Sequence, residues 1–377
     1  MKCLRAFLLF SVSSVLSVFS VFPGLAFDPV IPGKTLEFPR DMGAHPGHRI
    51  EWWYVTGHLE EIGSPTEPAL ERLNRGRGRQ LGFQVTFFRV RNPEAETNPS
   101  RFAPRQLLFA HAALADPAEG RLLHGQRSAR MLEGLVEARQ GDTSVRLDDW
   151  SLVREAGAYR ARVATDEFTL ELTLAPTQPV MPQGDRGFSR KGASSAHASY
   201  YYSEPQLRVA GRVTAKGATR DVTGIAWLDH EWSSELLAAD ASGWDWLGAN
   251  LDDGGALMAF RIRGKDGATL WSSATMRPAP SPRPSPLGEG RGEGLAVFTP
   301  LRTWKSPRTA VSYPVEMEVR VGERTWRVEP LMDDQELDAR ASTGTLYWEG
   351  AVRVQAADGA RGRGYLELTG YGGRVSF

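Results

Sequence analysis

Hydrophobic and polar residues alternate along most of the chain in short runs. Clear examples lie at residues 53–59, 81–88, 168–174, 206–213 and 315–321. A period of two, with β-branched and aromatic residues punctuated by Gly, Pro, Asn and Asp, is typical of antiparallel strands and hairpins. Only residues 121–137 and 231–240 favour short helices. The pattern therefore predicts an all-β antiparallel protein.

Two parts of the sequence repeat each other in the same order. Residues 52–59 (WWYVTGHL) correspond to residues 244–251 (WDWLGANL), and further matches link residues 201–227 to residues 347–368. This alignment predicts two copies of one β-domain, at residues 28–237 and 238–377. Because each copy has about eight strands, two tandem antiparallel barrels are expected, and a pair of sandwiches is the alternative.

The first residues have the pattern of a leader. Lys2 and Arg5 precede an uncharged run over residues 6–22, which is followed by the small residues Gly24 and Ala26. This order is typical of a secretory signal peptide. We predict a signal peptide over residues 1–26 and a periplasmic or secreted mature protein, and an uncleaved membrane anchor is the alternative.

Charge and cysteine content exclude several classes of function. The 45 Lys and Arg residues balance 45 Asp and Glu residues, so the net charge is 0 and no nucleic-acid partner is expected. The single cysteine, Cys3, excludes disulfides and thiolate zinc sites. The Pro- and Gly-rich residues 278–294 are predicted to be a solvated surface loop or a disordered segment inserted into the second domain.

One cluster of residues combines carboxylates, a histidine and indole rings. It comprises residues 227–232 (WLDHEW), closely followed by Trp244 and Trp246. A carboxyl group surrounded by aromatic rings loses hydration, so its pKa rises and it can act as a proton donor near neutral pH. Indole faces can also stabilise a developing carbocation. In the alternative interpretation, Asp229 caps a short helix and the tryptophans only pack in the core.

A second aromatic cluster lies at residues 197–202 (HASYYY), before the strand expected to pair with the first cluster. Antiparallel pairing is predicted to bring His197 or a tyrosine near Asp229. No metal site and no cofactor are predicted. His230 and Glu231 lack the second histidine of a zinc-protease helix, and residues 187–192 do not have the spacing of a nucleophile elbow.

Four motifs together resemble a known family. They are residues 51–57 (EWWYVTG), 184–192 (GDRGFSRKG), 200–203 (YYYS) and 227–232 (WLDHEW). The combination resembles the AttH-like family of secreted lipocalin-like proteins, which is related to carotenoid 1,2-hydratase. The resemblance covers nearly the whole chain after the leader, except the Pro-rich insertion. It implies two calycin-type barrels in tandem.

For the hydratase branch, the resemblance implies cofactor-independent addition of water to a terminal isoprenoid double bond. An aspartate followed by a histidine is the key pair there, and Asp229 and His230 match it, so Asp229 is the expected proton donor. His197 is the expected additional catalytic residue. Trp227 stands where the hydratases are expected to have a tyrosine, and residues 231–235 look more like another secreted branch.

These observations predict an exported protein that binds an apolar isoprenoid or lipid-like ligand and hydrates it through Asp229. The expected ligand-binding side chains are Trp53, Tyr200, Tyr202, Trp227, Trp232, Trp244 and Trp246. A noncatalytic carrier of a hydrophobic ligand and a secreted hydrolase are the alternatives. Peripheral membrane contact and the oligomeric state are left open.

Overall fold

The fold consists almost entirely of antiparallel strands. The computed structural model describes residues 27–62, 78–235, 237–280 and 292–375, so the predicted leader and most of the Pro-rich insertion lie outside the described residues. The described residues contain two single turns of 3-10 helix, at Arg40–Met42 and Pro93–Ala95. Within these ranges, no helix has the length and apolar character needed to cross a bilayer. The all-β prediction is confirmed.

The first sheet contains thirteen strands in the described part of the chain. They are β1 Ile50–Glu61, β2 Gln80–Arg91, β3 Gln106–Ala115, β4 Leu122–Arg130, β5 Val136–Ala138, β6 Ser144–Leu147, β7 Trp150–Glu155, β8 Ala158–Ala164, β9 Phe168–Ala175, β10 Met181–Pro182, β11 Phe188–Arg190, β12 Ala198–Ala215 and β13 Ala218–Glu235. Their order is β4-β3-β2-β1-β13-β12-β9-β8-β7-β6-β5, with β10 and β11 paired to β12.

The second sheet contains ten described strands. They are β14 Ala241–Leu251, β15 Ala256–Gly264, β16 Thr269–Arg277, β17 Gly292–Gly294, β18 Ala296–Lys305, β19 Ser312–Val321, β20 Arg324–Pro330, β21 Glu336–Ala339, β22 Thr345–Ala356 and β23 Arg361–Thr369. Their order is β17-β16-β15-β14-β23-β22-β20-β19-β18, with β21 paired to β22. This order matches the first sheet strand by strand from β4 to β7.

Both sheets curl on themselves. In the first sheet β6 contacts β3 and β4, and in the second sheet β18 contacts β15 and β16, although these strands are far apart in sheet order. Each curled sheet encloses its own apolar core. The alternation that predicted strands produces these cores, as in β9, where Phe168, Leu170, Leu172 and Leu174 are buried.

The two segments that favoured helices are not helical. Residues 122–130 form β4 and residues 136–138 form β5, while residues 231–235 continue β13. Cross-strand pairing outweighs local helix preference here. The chain passes from the first sheet to the second between Glu235 and Ala241. The domain ranges 28–237 and 238–377, as independent units, stay a prediction.

The sheets pack against each other through β1 and β13 of the first and β14, β22 and β23 of the second. The hydrogen bonds across this interface include His58 Nε2 with Gly364 O at 2.9 Å, Asn250 Nδ2 to Ala226 O at 3.1 Å, and Gln206 N to Asn250 Oδ1 at 2.6 Å. The central strands β1 and β13 are therefore buried on both faces. One face supplies the first core and the other faces the second sheet.

Candidate functional site

A cavity of about 250 Å³ lies between the two sheets. The apolar part of its wall is mainly aromatic and includes Trp52, Phe88, Phe109, Trp244, Trp246 and Phe260. A smaller number of polar side chains also line it, among them the carboxyl groups of Asp229, Glu231, Glu349 and Glu367. Apolar walls with a few convergent polar groups are typical of small-molecule sites.

Asp229 lies on the first-sheet wall of this cavity and is 3% exposed. Its carboxyl accepts three hydrogen bonds: Trp227 Nε1 at 2.7 Å and Ser203 Oγ at 2.5 Å on Oδ1, and the Tyr201 hydroxyl at 2.7 Å on Oδ2. Burial raises the pKa of Asp229 to about 7, and the three donors only partly oppose it. The nearby charge of Glu231 adds to the increase. Asp229 therefore exchanges a proton near neutral pH.

The pairing of β12 with β13 produces this arrangement. Ser203 stands directly opposite Asp229, and Tyr201 stands opposite Glu231. Because alternate residues of a strand share a face, residues 227, 229 and 231 point the same way as residues 201 and 203. The second sheet completes the site, since Trp246 Nε1 donates to the Tyr201 hydroxyl at 3.0 Å.

Glu231 is the partner of a buried cation. Lys191 Nζ lies 2.8 Å from Glu231 Oε1, and the Ser199 hydroxyl donates to the same oxygen at 2.5 Å. Lys191 is 6% exposed, and its ammonium lies 4.2 Å from the centre of the Phe260 ring. The negative charge of Glu231 beside Asp229 raises the pKa of Asp229 and so favours its neutral form.

The second-sheet wall contributes two more carboxyl groups. Glu349 on β22 and Glu367 on β23 stand directly opposite each other in the sheet. Burial raises the pKa of Glu349 well above its usual range, the charge of Glu367 adds to this, and the neighbouring Tyr54 and Tyr347 hydroxyls only partly oppose it. Burial likewise raises the pKa of Glu367 to about 8. This carboxyl pair therefore retains at least one proton at neutral pH.

Sequence and structural comparisons agree on the family. The sequence profile of the family described as AttH-like matches residues 29–371. This chain belongs to the AttH-like family. Its structure is similar to that of an AttH protein from Nitrosomonas europaea, with a TM-score of 0.80 and 52% sequence identity, covering 92% of this chain and 100% of that chain. The predicted family and the lipocalin-like fold are thus confirmed.

A more distant structural relative is kievitone hydratase from Nectria haematococca. Its TM-score is 0.66 at 14% identity, and the match covers 92% of this AttH-like chain and 96% of the hydratase. At this identity the two proteins share the fold. No curated protein sequence matches the chain.

His230 does not face the cavity with Asp229 in this AttH-like protein. Adjacent residues of a strand point to opposite faces, so His230 lies inside the first sheet. Its Nε2 is 2.9 Å from Glu51 Oε1, its Nδ1 is 3.1 Å from the Tyr202 hydroxyl, and its ring stacks on Trp53 at 4.6 Å. Burial lowers the pKa of His230 to about 4. The structure separates the two members of the Asp-His pair.

The other predicted residues divide between the two faces in the same way. Trp244 and Trp246 line the cavity, and Trp227 binds Asp229. The predicted ligand-binding residues that pack in the first core instead are Trp53, Tyr200, Tyr202 and Trp232. His197 is half-buried in the turn before β12, where Lys191 N donates to its carbonyl, and it is not part of the cavity wall.

Several groups at the site were not predicted. Tyr201 and Ser203 lie on the face of β12 opposite to that of Tyr200 and Tyr202, and it is the pairing register, with Ser203 opposite Asp229, that places them at the site. The sequence repeat aligns Glu367 with Trp227 of the WLDHEW motif. This alignment would have made Glu367 a candidate for the second-sheet wall. Lys191 lies in the GDRGFSRKG motif, to which no function was given.

A separate cluster, inside the first sheet, brings His45, Glu51 and His230 within 4.8 Å of one another. Glu51 Oε1 lies 2.7 Å from His45 Nδ1 and 2.9 Å from His230 Nε2, and Arg89 Nε donates to Glu51 Oε2 at 2.8 Å. Ligands of a tetrahedral ion at about 2.0 Å would stand about 3.3 Å apart. The contacts are hydrogen-bond lengths, and the Arg89 charge opposes a second cation. We interpret the cluster as a structural hydrogen-bond network.

Proposed function

We propose that this protein binds an apolar, isoprenoid or lipid-like molecule between its two sheets and adds water to a carbon–carbon double bond, with Asp229 as the acid. The observation that carries the proposal is a buried carboxyl group on the cavity wall whose pKa is about 7. The leader predicted over residues 1–26 extends the proposal to a periplasmic or secreted location. The reaction proposed uses no cofactor.

The first chemical step is proton transfer from Asp229 to one carbon of the double bond. This leaves a carbocation on the other carbon and a carboxylate that three hydrogen bonds stabilise. The indole rings of Trp244 and Trp246 line the same space and can stabilise the positive charge. Water then adds to the cation, and transfer of one proton from that water to a base gives the alcohol.

The size of the cavity limits what part of the ligand reacts there. A volume of about 250 Å³ is slightly below the range of roughly 300–1,000 Å³ typical of sites that enclose a whole drug-sized ligand. A long isoprenoid would therefore insert only one end, which agrees with chemistry at a terminal double bond. The same cavity also fits the alternative function, a carrier in which Asp229 only hydrogen-bonds the ligand.

The test compares wild type with Asp229→Asn in an incubation with an acyclic carotene or with a bacterial lipid extract. Mass spectrometry measures the retained ligand and any product heavier by one water. Asp166→Asn, an exposed turn carboxylate in the first sheet, is the matched control. Product from wild type and control, and none from Asp229→Asn, is the expected result. If all three proteins retain the ligand equally and none forms product, the hydratase is refuted and the carrier function is supported.

One pair of side chains resembles the nucleophile and base that the hydrolase alternative would need. At the edge of the cavity, His111 Nε2 lies 2.9 Å from Ser342 Oγ, and His111 Nδ1 lies 2.6 Å from the Tyr347 hydroxyl. Burial lowers the pKa of His111 to about 3, so it is a weak base, and Ser342 also donates to Gln126 Oε1 at 2.7 Å. We therefore expect Ser342→Ala to form the hydrated product as wild type does. If the protein were a hydrolase that uses Ser342, this variant would lose its activity.

A further inference from the structure

Four buried polar atoms in one region have no hydrogen bond that meets full geometric criteria to a described protein group, although the Tyr54 hydroxyl is near enough to the Glu349 carboxyl to affect its pKa. They are Glu349 Oε1, the Tyr54 hydroxyl, the Tyr365 hydroxyl and Gln84 Oε1. Each belongs to a side chain that is at most 6% exposed. They occupy the region where β1 and β2 of the first sheet contact β22 and β23 of the second.

Their positions form one group around Glu349. Tyr54, Gln84 and Glu349 line the same cavity. Tyr365 is on the same face of the second sheet as Glu367, two residues along β23, and the charge of Glu349 raises the pKa of both Tyr54 and Tyr365. The unpartnered atoms therefore converge on one polar pocket at the wall of an otherwise mainly apolar cavity.

Buried polar groups that lack protein partners are normally satisfied by ordered water, which makes about three hydrogen bonds to such groups. Two hydroxyl groups and two acceptor oxygens provide more than that number of partners. Because the pocket opens on the reaction cavity, water bound here would be next to the ligand.

We propose that Glu349 holds the water molecule that adds to the double bond, and that the Glu349–Glu367 pair accepts the proton this water gives up. The inference rests on the proposed hydration. It makes the two walls of the cavity complementary, because the first sheet supplies the proton and the second sheet supplies the water.

The carboxyl pair suits this role because its two groups are adjacent and cannot both be ionised easily. With one proton bound to one of its two groups, the pair carries a single negative charge. Burial raises the pKa of both groups, so the singly protonated pair is a stronger base than an exposed carboxylate. Glu231 and, after it has given up its proton, Asp229 present negative charge to the pair from the opposite wall and strengthen its affinity for a second proton.

The proposed step is balanced. Asp229 gives its proton to one alkene carbon, and the water oxygen forms a bond to the other carbon. One O–H bond of that water breaks, and its proton passes to the carboxyl pair, which becomes neutral. Asp229 regains a proton and the pair loses one by exchange with solvent after the alcohol leaves. The net change is addition of one water molecule.

The first experiment does not depend on activity. A high-resolution crystal structure of the ligand-free protein should show an ordered water within about 3.2 Å of Glu349 Oε1 and of the Tyr54 hydroxyl. Glu349→Gln should keep this water, because an amide still hydrogen-bonds it and the neutral side chain replaces a carboxyl whose ionisation burial opposes. A dry pocket in wild type overturns the proposal.

The second experiment separates proton donation from water addition. In D₂O, wild type and the control Glu318→Gln, an exposed residue of β19, should form deuterated alcohol from the acyclic carotene. Glu349→Gln should form product about 100-fold more slowly or less, while recovered carotene still gains deuterium through Asp229.

Two outcomes contradict the role of Glu349 while hydration itself stands. Wild-type product formation by Glu349→Gln means that another group holds the water. Loss of both product and deuterium exchange by this variant means that Glu349 acts in proton donation. Failure of the proposed function is recognised separately, because then wild type gives neither product nor deuterated carotene, and the role of Glu349 falls with it.

Discussion

Replacing Asp229 by Asn should change how the stability of the protein depends on pH. The pKa of Asp229 is about 7 in the folded protein, against an ordinary value of 3.8. Between these values the folded state binds a proton that the unfolded chain has released. The free energy of unfolding therefore falls as the pH rises through this interval, and the loss is complete above pH 7.

The magnitude follows from the difference between the two pKa values, 7 − 3.8 = 3.2 units. At 1.36 kcal/mol for each unit, the ionisation of Asp229 costs about 4 kcal/mol of stability above pH 7. About two of these units lie above pH 5, which corresponds to about 3 kcal/mol. Asn cannot ionise, so Asp229→Asn should gain about 3 kcal/mol relative to wild type between pH 5 and pH 8.5.

Urea unfolding followed by tryptophan fluorescence measures this difference at several pH values. The amide nitrogen of Asn would face the Tyr201 hydroxyl, which now donates to the carboxylate. This mismatch lowers stability by the same amount at each pH and leaves the trend intact. Asp166→Asn should show no trend. A relative stability of Asp229→Asn that stays constant, or falls, from pH 5 to pH 8.5 would refute the reasoning.

Two further substitutions test the neighbouring contacts. Lys191→Met leaves Glu231 buried without its cation and should lower the free energy of unfolding by about 3 kcal/mol. The double variant Lys191→Met/Glu231→Gln should recover most of this loss. If urea unfolding finds the single and double variants equally stable, the buried ion pair is contradicted. His230→Gln removes the contact with Glu51 and should lower the free energy of unfolding by about 1–3 kcal/mol without reducing product formation. A loss of product as complete as that of Asp229→Asn would contradict the position of His230 on the opposite face.

The strands and Asp229 could be predicted from the sequence because both depend on local pattern. Alternation along β9 or β19 is visible in the residues themselves, and the WLDHEW motif marks Asp229 as an acid among aromatic rings. The repeat also carried the order of the strands, since the two sheets have corresponding strand sequences. These features involve residues that are close in sequence or related by the repeat.

The faces of the strands were harder to assign. The family resemblance joins Asp229 to His230, but the period of two places them on opposite sides of β13. On β12 the period of two separates Tyr200 and Tyr202 from Tyr201 and Ser203, but only the register with β13 shows that the second pair faces Asp229. Residue alternation alone does not give that register.

The second wall of the cavity could not be derived from local pattern. Glu349 and Glu367 are more than 100 residues from Asp229 along the chain, and they meet it only because one face of β22 and β23 packs near β1 and β13. A buried glutamate in a strand interrupts the apolar alternation. This marks its position as unusual but does not show which distant residues it meets.

The long strand β13 has one face on the cavity and the other in the first core. The residues of these two faces can therefore change separately in evolution. Substitutions at positions 227, 229 and 231 alter the cavity and its wall, whereas positions 228, 230 and 232 belong to the interior of the first sheet. Point mutations on the cavity face can thus change ligand preference with little effect on the stability of the first core. Insertion or deletion of a single residue upstream in this strand would exchange the two sets, placing the acid in the scaffold and the imidazole in the cavity. Length variation is therefore expected in the turns between strands, and lineages with new ligands should differ mainly at alternate positions.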